Sequence, residues 1–216
     1  MQVALVGVHT LEYAELADLT WTQNKELYCK RHGFVGEDRL IPLELVSKWG
    51  NIAFDKMRLV LEYFDKGAEW VWATGTDSLI TDFTNDLSSI IETKASFVVA
   101  SDCNSVNADS FLVKNDVDGR RMINYILSRE PTGAEQYAIG ELFRLNNPGK
   151  VQMVPQRVLN SYNYDLYSRV GKDRLDQLGT DGHWQYGDLL IHWPGFGSEP
   201  QRRCEWARQY MNQIKL

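Results

Sequence analysis

The stretch QVALVGV (2–8) is an unbroken apolar run of small and β-branched residues. With no polar alternation, it predicts a strand covered on both faces, as in a parallel sheet. From Ala14 to His32 the pattern changes. Leu16, Leu19, Leu27 and Tyr28 recur at roughly helical intervals, the basic CKRH follows, and Gly33 offers a helix C-cap. A second strand is expected beyond it. The segment AFDKMRLVLEYFDKG (53–67) sets Met57, Val60, Leu61 and Phe64 on one helical face and ends at Gly67. EWVWAT (69–74) then reads as a buried strand. Further strands are predicted at 96–101, 110–115, 151–155 and 188–193, with helices near 117–128, 133–143 and 200–214. Alternating strands and helices define an α/β class. The segment 156–187, rich in Tyr, Asn, Asp and Gly, has no clear period and is expected to be a binding loop or lid.

Composition narrows the picture. A chain of 216 residues suits one domain, 1–216, with a real core. Hydrophobic residues at 44% and charged residues at 24% favour neither disorder nor a membrane class. No stretch nears the roughly 18 consecutive apolar residues of a membrane span. MQVALVGVHT lacks the basic start of a signal peptide. Three cysteines, Cys29, Cys103 and Cys204, make no C-x-x-C pattern, so neither a disulfide framework nor a zinc site is expected. Together these features predict a cytoplasmic protein. A net charge of -6 provides no general attraction for phosphate backbones, so a nucleic-acid contact would need a local basic patch.

Two places carry candidate chemistry. In WVWATGTDSLI (70–80) an apolar strand runs into TGTD, placing Asp77 at a carboxyl strand end, where ligands bind in open α/β sheets. Asp77 is either a turn or helix cap or a metal ligand. In GDLLIHWPG (187–195) a second apolar strand delivers His192 at its end, as a satisfied core histidine or as a ligand. A carboxylate and an imidazole suit Mn²⁺, with diphosphate oxygens and water filling the remaining positions.

The ordered motifs YCKRHGF (28–34), KMRLVLEYFDKGAEWVWATGTDSLITD (56–82), NADSFLVKN (107–115), EQYAI (135–139), VPQRVLNSY (154–162) and GDLLIHWPG (187–195) resemble the galactosyl- and xylosyltransferases of glycosyltransferase family 34. The resemblance implies a GT-A fold: a Rossmann-like, mostly parallel central sheet flanked by helices. It also implies a nucleotide-activated donor such as a UDP-sugar, dependence on Mn²⁺ or Mg²⁺, and transfer with retention. By it, Asp77 corresponds to the last acid of a D-x-D metal motif and His192 to a metal-binding histidine. Glu135 and Gln136 correspond to an acidic-Gln pair near the reacting face of the sugar, where one could orient the donor and the other offer its carbonyl.

Two positions depart from the family pattern. Gly75 stands where the first acid of D-x-D belongs, and Asp109 stands where glycine is usual. The lost carboxylate is expected to be replaced by Thr74, Thr76 or a nearby acid such as Asp102, while Asp109 could narrow the sugar pocket, bond a hydroxyl or assist the metal. The end of the first strand, Val8, His9 and Thr10, is placed against the base or ribose. Lys56 or Arg58 either neutralises phosphate or solvates its helix.

Trp184, Tyr186, Trp193 and Phe196, with Tyr162, Tyr164 and Tyr167, form either a stacking platform for an acceptor or a packed core. The acceptor is expected to be a saccharide. GRR (119–121) and QRRCEWARQ (201–209) keep a hydroxylated base in modified DNA as a second option. Rival readings are a non-catalytic sugar-nucleotide or glycan-binding protein and a sugar-nucleotide hydrolase.

Overall fold

A computed structural model of the chain describes residues 2–46, 52–91, 94–131, 135–145, 149–163, 175–194 and 200–216. Tyr164, Tyr167, Gly195 and Phe196 lie outside the described residues. The strands are β1 Val3–His9, β2 Val35–Leu40, β3 Trp70–Ala73, β4 Ser78–Ile80, β5 Phe97–Ser101, β6 Val106–Lys114, β7 Val151–Val154, β8 Ser161–Tyr162 and β9 Leu190–His192. A six-stranded sheet has the order β2-β1-β3-β6-β5-β7, and a smaller one the order β4-β9-β8.

In the large sheet β1 pairs in parallel with β2 and β3, and β5 with β7, whereas β6 runs antiparallel to both β3 and β5. The reversal has a local cause. Between β5 and β6 lies only the turn around Asp102, far too short for a parallel crossover. Asp102 Oδ1 accepts from the backbone N–H groups of Asn104 and Ser105, at 2.7 Å each. Asp102 is therefore a turn residue, not the replacement carboxylate expected from the sequence.

Both faces of the sheet are covered, which is why its strands read as continuous apolar runs. Val3 and Leu5 of β1 enter a core with Tyr28, Trp70 and Trp72, while Ala4, Val6 and Val8 enter another with Phe54, Met57 and Val60. Helices Ala53–Asp65, Val117–Ser128 and Glu135–Leu145 contribute to the second core. The helix Pro200–Met211 joins a third cluster through Cys204 and Ala207, with Leu16, Leu79 and Trp193.

The helical run after β1 departs from regular α geometry. An α-helical turn, Ala14–Ala17, leads into a wide π-helical stretch, Asp18–Lys25, and then into α-helix Glu26–His32, which Gly33 ends at φ +68°. The wider turns rotate the succeeding helix about its axis, so Leu27, expected to be buried, is 48% exposed. Polar side chains take the inward places: Thr20, Asn24 and Lys25 are all buried.

Each of these three grips the segment that leaves β3. Thr20 Oγ1 donates to Thr76 O at 2.7 Å. Asn24 Nδ2 donates to Ile80 O at 2.9 Å, and its Oδ1 accepts from Ile80 N at 2.8 Å. Lys25 Nζ donates to Gly75 O at 2.9 Å and to Ser78 O at 2.6 Å. Asn24→Leu would strand both backbone groups of Ile80 in the interior and is expected to cost about 3 kcal/mol. Urea unfolding measures it, and a loss below about 1 kcal/mol would show that the clamp is dispensable.

Candidate active site

The turn at the end of β3 directs its side chains in alternate directions. Thr74 is buried, with Oγ1 2.7 Å from Ser78 Oγ, and it does not line the cavity that holds the site. The expectation that Thr74 replaces the missing acid is corrected accordingly: its hydroxyl serves the turn. Thr76 lines the cavity while its Oγ1 donates to Val8 O at 3.1 Å, tying the turn to the end of β1. Beyond the turn, β4 pairs antiparallel with β9 so that Ser78 faces His192, and Trp193 N donates to Asp77 O at 2.9 Å. This pairing brings the two residues singled out locally in the sequence to one place.

His192 Nε2 lies 3.6 Å from Asp77 Oδ1 and 3.7 Å from Asp109 Oδ2. One ligand atom from each of Asp77, Asp109 and His192 falls within 4.8 Å of the others. A second carboxylate thus reaches the same place from β6. Two further observations fit a cation there. Asp109 Oδ2 is buried without a hydrogen-bond partner. On its other edge, His192 Nδ1 donates to Asn160 Oδ1 at 2.6 Å, so that in the neutral ring the Nε2 lone pair faces the acids.

Burial opposes the charge on Asp77, but His192 and Arg203 outweigh it and hold the carboxyl well below the usual range. For His192, burial favours the neutral ring, and Asp109 and Asp77 overcome this to raise its pKa. Arg203 Nη1 stands 3.5 Å from Asp77 Oδ2.

These groups line a cavity of about 400 Å³. Val8, His9, Thr10, Lys56, Gly75, Glu135 and Gln136 line it too, whereas Thr74, Asp102 and Arg58, which the sequence also offered for the site, do not. His9 Nδ1 lies 2.9 Å from Asp38 Oδ2. Lys56 is at the wall, but its ammonium donates to Ala108 O and Asp109 O, at 3.2 and 3.0 Å, fastening the β6 backbone beside the acid. Arg58 is turned to the surface, paired with Asp55 and Glu130.

Sequence reasoning missed Tyr13, Asn107, Asn160 and Arg203. Arg203 belongs to a segment read as a possible DNA contact, yet it is 9% exposed and points into the cavity. The other arginines of those segments are engaged: Arg120 with Asp65, Arg121 with Asp118, Arg208 with Glu15, and Arg202 over the ring of Trp206. The aromatic platform is also revised. Trp184 and Trp193 are buried in the third core cluster, Tyr162 is buried, and Tyr186, 69% exposed, stays at the surface. A second cavity, lined by Asn104, Tyr137, Phe143, Arg144 and Gln177, shares Glu135 and Gln136 with the first.

Beneath the turn, burial pulls the Lys25 ammonium down to about 8, while Asp38, Asp109 and Asp77 work in the opposite direction. The folded value lies below the ordinary 10.5, so the cost of burying the charge is complete below about pH 8 and is relieved as pH rises towards 10.5. Relative to Lys25→Met, the parent's stability is therefore expected to improve between about pH 8 and 10, measured by urea unfolding across that range. A pH-independent difference would contradict the assignment. Separately, Asn160→Leu removes the acceptor that orients His192 and is expected to weaken uptake of a divalent cation at this candidate site about 10–100-fold by calorimetry. Unchanged uptake would mean that the imidazole needs no such support.

Comparison with known proteins assigns the class: the chain is a glycosyltransferase with a GT-A type fold, and its cavity lies at the carboxyl ends of β1 and β3. Residues 87–205, more than half of the chain, match the galactosyl transferase GMA12/MNN10 family, and the chain belongs to that family.

Among solved structures, a glycosyltransferase involved in glycosylation of the major capsid of PBCV-1 aligns with a TM-score of 0.67 at 15% identity, covering 97% of this chain and 100% of that one. The galactosyltransferase LgtC, in complex with donor and acceptor sugar analogs, aligns at 0.58 and 14% identity over 95% of each chain. GlyE of Streptococcus pneumoniae TIGR4 aligns at 0.55 and 15% identity, covering 98% of this chain and 63% of that one. At these identities the likeness establishes the fold. No curated protein sequence matches significantly.

Proposed function

We propose that this chain, acting as one catalytic unit, transfers a sugar from a nucleoside-diphosphate donor, with UDP as the nucleotide, to a hydroxyl of a saccharide, with retention of anomeric configuration. The observation that carries the reading is the convergence of Asp77, Asp109 and His192 in the cavity that also holds Glu135 and Gln136.

Asp77, Asp109 and the Nε2 of His192 would hold Mn²⁺ or Mg²⁺. When bound, such a cation neutralises the negative charge that develops on the departing diphosphate, without a proton transfer. The protein's own groups do the rest. Arg203 adds a fixed positive charge beside Asp77 for the diphosphate oxygens. Val8, His9 and Thr10 offer backbone and side-chain groups to the base and ribose. Gln136 presents an amide, and Glu135 a carboxylate, where the two cavities meet, suited to orienting the sugar between leaving group and acceptor.

The acceptor enters from the second cavity, of about 770 Å³, where Tyr137 is 62% exposed and can stack on a sugar ring. The engagement of Arg120, Arg121, Arg202 and Arg208 within the protein favours a saccharide over nucleic acid. With Asp109 supplying a second carboxylate, Gly75 alone no longer argues for a protein that binds without catalysing.

Calorimetric titration of UDP, with and without Mn²⁺, tests the reading on the parent, Asp77→Asn and His192→Ala. Binding is expected to require Mn²⁺ and to weaken about tenfold or more in each variant, the loss of one metal ligand. UDP binding that is equal without metal, or indifferent to both substitutions, would refute it.

A further inference from the structure

By the family resemblance, Gly75 stands where an acid is usual and Asp109 where glycine is usual, and the structure sets these two positions against each other. Strands β3 and β6 are antiparallel neighbours, with Trp72 opposite Leu112 and Ala73 opposite Phe111. Continuing that register past the end of β3 carries Gly75 to Asp109. Side chains directly across such a pair stand on one face with their Cβ atoms about 5 Å apart. Here the Asp109 side chain, in its present rotamer, occupies the place of both. A Cβ built on Gly75 would lie 1.7 Å from Asp109 Oδ1, 2.7 Å from Asp109 Cγ and 2.8 Å from Asp77 Oδ1. In that rotamer the Asp109 carboxylate fills the space that a side chain at 75 would take, so an added side chain would have to displace it.

We infer that Gly75 and Asp109 are an exchanged pair. One metal-binding carboxylate is shared between two facing positions; in this protein it stands on β6 instead of in the turn after β3, and the glycine opposite is what admits it. The inference rests on the metal-site reading of the proposed function and goes beyond it, because it assigns Gly75 a function and predicts that the acid can be moved. Three features of the surroundings fit an acid delivered from β6. Lys56 holds Asp109 O and Ala108 O, so the strand is fastened where the carboxylate departs. Asn107 Oδ1 accepts from Asp109 N at 2.9 Å, fixing the same backbone from the other side. The orphaned Asp109 Oδ2 points to the His192 imidazole, 3.7 Å away.

The exchange predicts strong non-additivity between the two positions. The test is Mn²⁺ binding alone, without nucleotide, followed by the loss of the electron paramagnetic resonance signal of free aqueous Mn²⁺. The proteins are the parent, Asp109→Asn, Asp109→Gly, Gly75→Asp and the double variant Gly75→Asp/Asp109→Gly, each checked for folding by circular dichroism and thermal melting.

Asp109→Asn and Asp109→Gly should each bind Mn²⁺ at least about tenfold more weakly. Gly75→Asp alone should also bind more weakly, since two acids compete for one space. The double variant should return to within a few-fold of the parent. If the folded double variant stays as weak as Asp109→Gly, the exchange is wrong, although Asp109 remains a ligand. If Asp109→Asn, the closest in shape, binds like the parent, the exchange is wrong while a site of Asp77 and His192 survives. If the parent binds no Mn²⁺, the metal reading and the exchange fall together.

Discussion

The site depends on a buried ammonium. Lys25 is 1% exposed, and removing a lysine from water is costly unless its hydrogens are accepted and its charge is matched. The first condition is met locally, and the second in part. Gly75 O and Ser78 O accept from Nζ, and the carboxylates of Asp38, Asp109 and Asp77 lie near enough to favour the charge. The bonds also constrain the backbone: the turn 75–78 cannot move without leaving the ammonium unsatisfied. An apolar residue at 25 would pack, but it would remove the donor to Ser78 O, leave Gly75 O to the Ser78 hydroxyl, and leave the neighbouring acids with one less cation.

This arrangement explains the irregular helix. A regular α-helix from Ala14 onward would carry Leu27 inward, as its spacing suggests. The wide turns of Asp18–Lys25 instead direct Thr20, Asn24 and Lys25 at three successive parts of the segment 76–80. Helical hydrogen-bond geometry is sacrificed, and the exit from β3 gains a rigid base. The small sheet extends the effect, since β4 continues from the fixed turn and pairs with β9, setting His192 beside Asp77. Rigidity thus passes from a helix to a turn and then, through strand pairing, to the imidazole.

Much of the architecture was legible because burial on two sides leaves a distinct mark: the runs 3–8, 70–73 and 97–100 carry no polar or charged position, and each lies in a strand of the large sheet. Asp77 and His192 were legible for a similar reason, as polar residues at the ends of apolar strands. Other features depend on contacts that local sequence does not encode. The reversal of β6 comes from a short connection whose two strands were predicted with a wider gap, since 110–115 misses the first residues, Val106–Asp109. Leu27 has the right spacing for the core in a regular helix, and nothing in its neighbours announces π-helical turns. Asn160 and Arg203 reach the site from segments 32 and 11 residues away from His192, so only the folded chain shows one orienting its ring and the other reaching Asp77.

The same distinction governs how a degenerate motif should be read. A D-x-D pattern is a linear description of something spatial: carboxylate oxygens at one point, at the right distance from an imidazole. TGTD fails the description in sequence because Gly75 has no side chain. Asp109 meets it in space because an antiparallel neighbour has its side chain on the same face of the sheet. The vacancy at Gly75 accommodates the carboxylate that faces it in the position it takes, since a Cβ there would overlap Asp109 Oδ1. Scored residue by residue, the chain has lost an acid. Scored by the atoms that converge, it presents two carboxylates and an imidazole oriented by Asn160, on a turn held from below by Lys25. Electrostatics acts on positions of charge and not on their order along the chain, so the second description is the one that determines the chemistry.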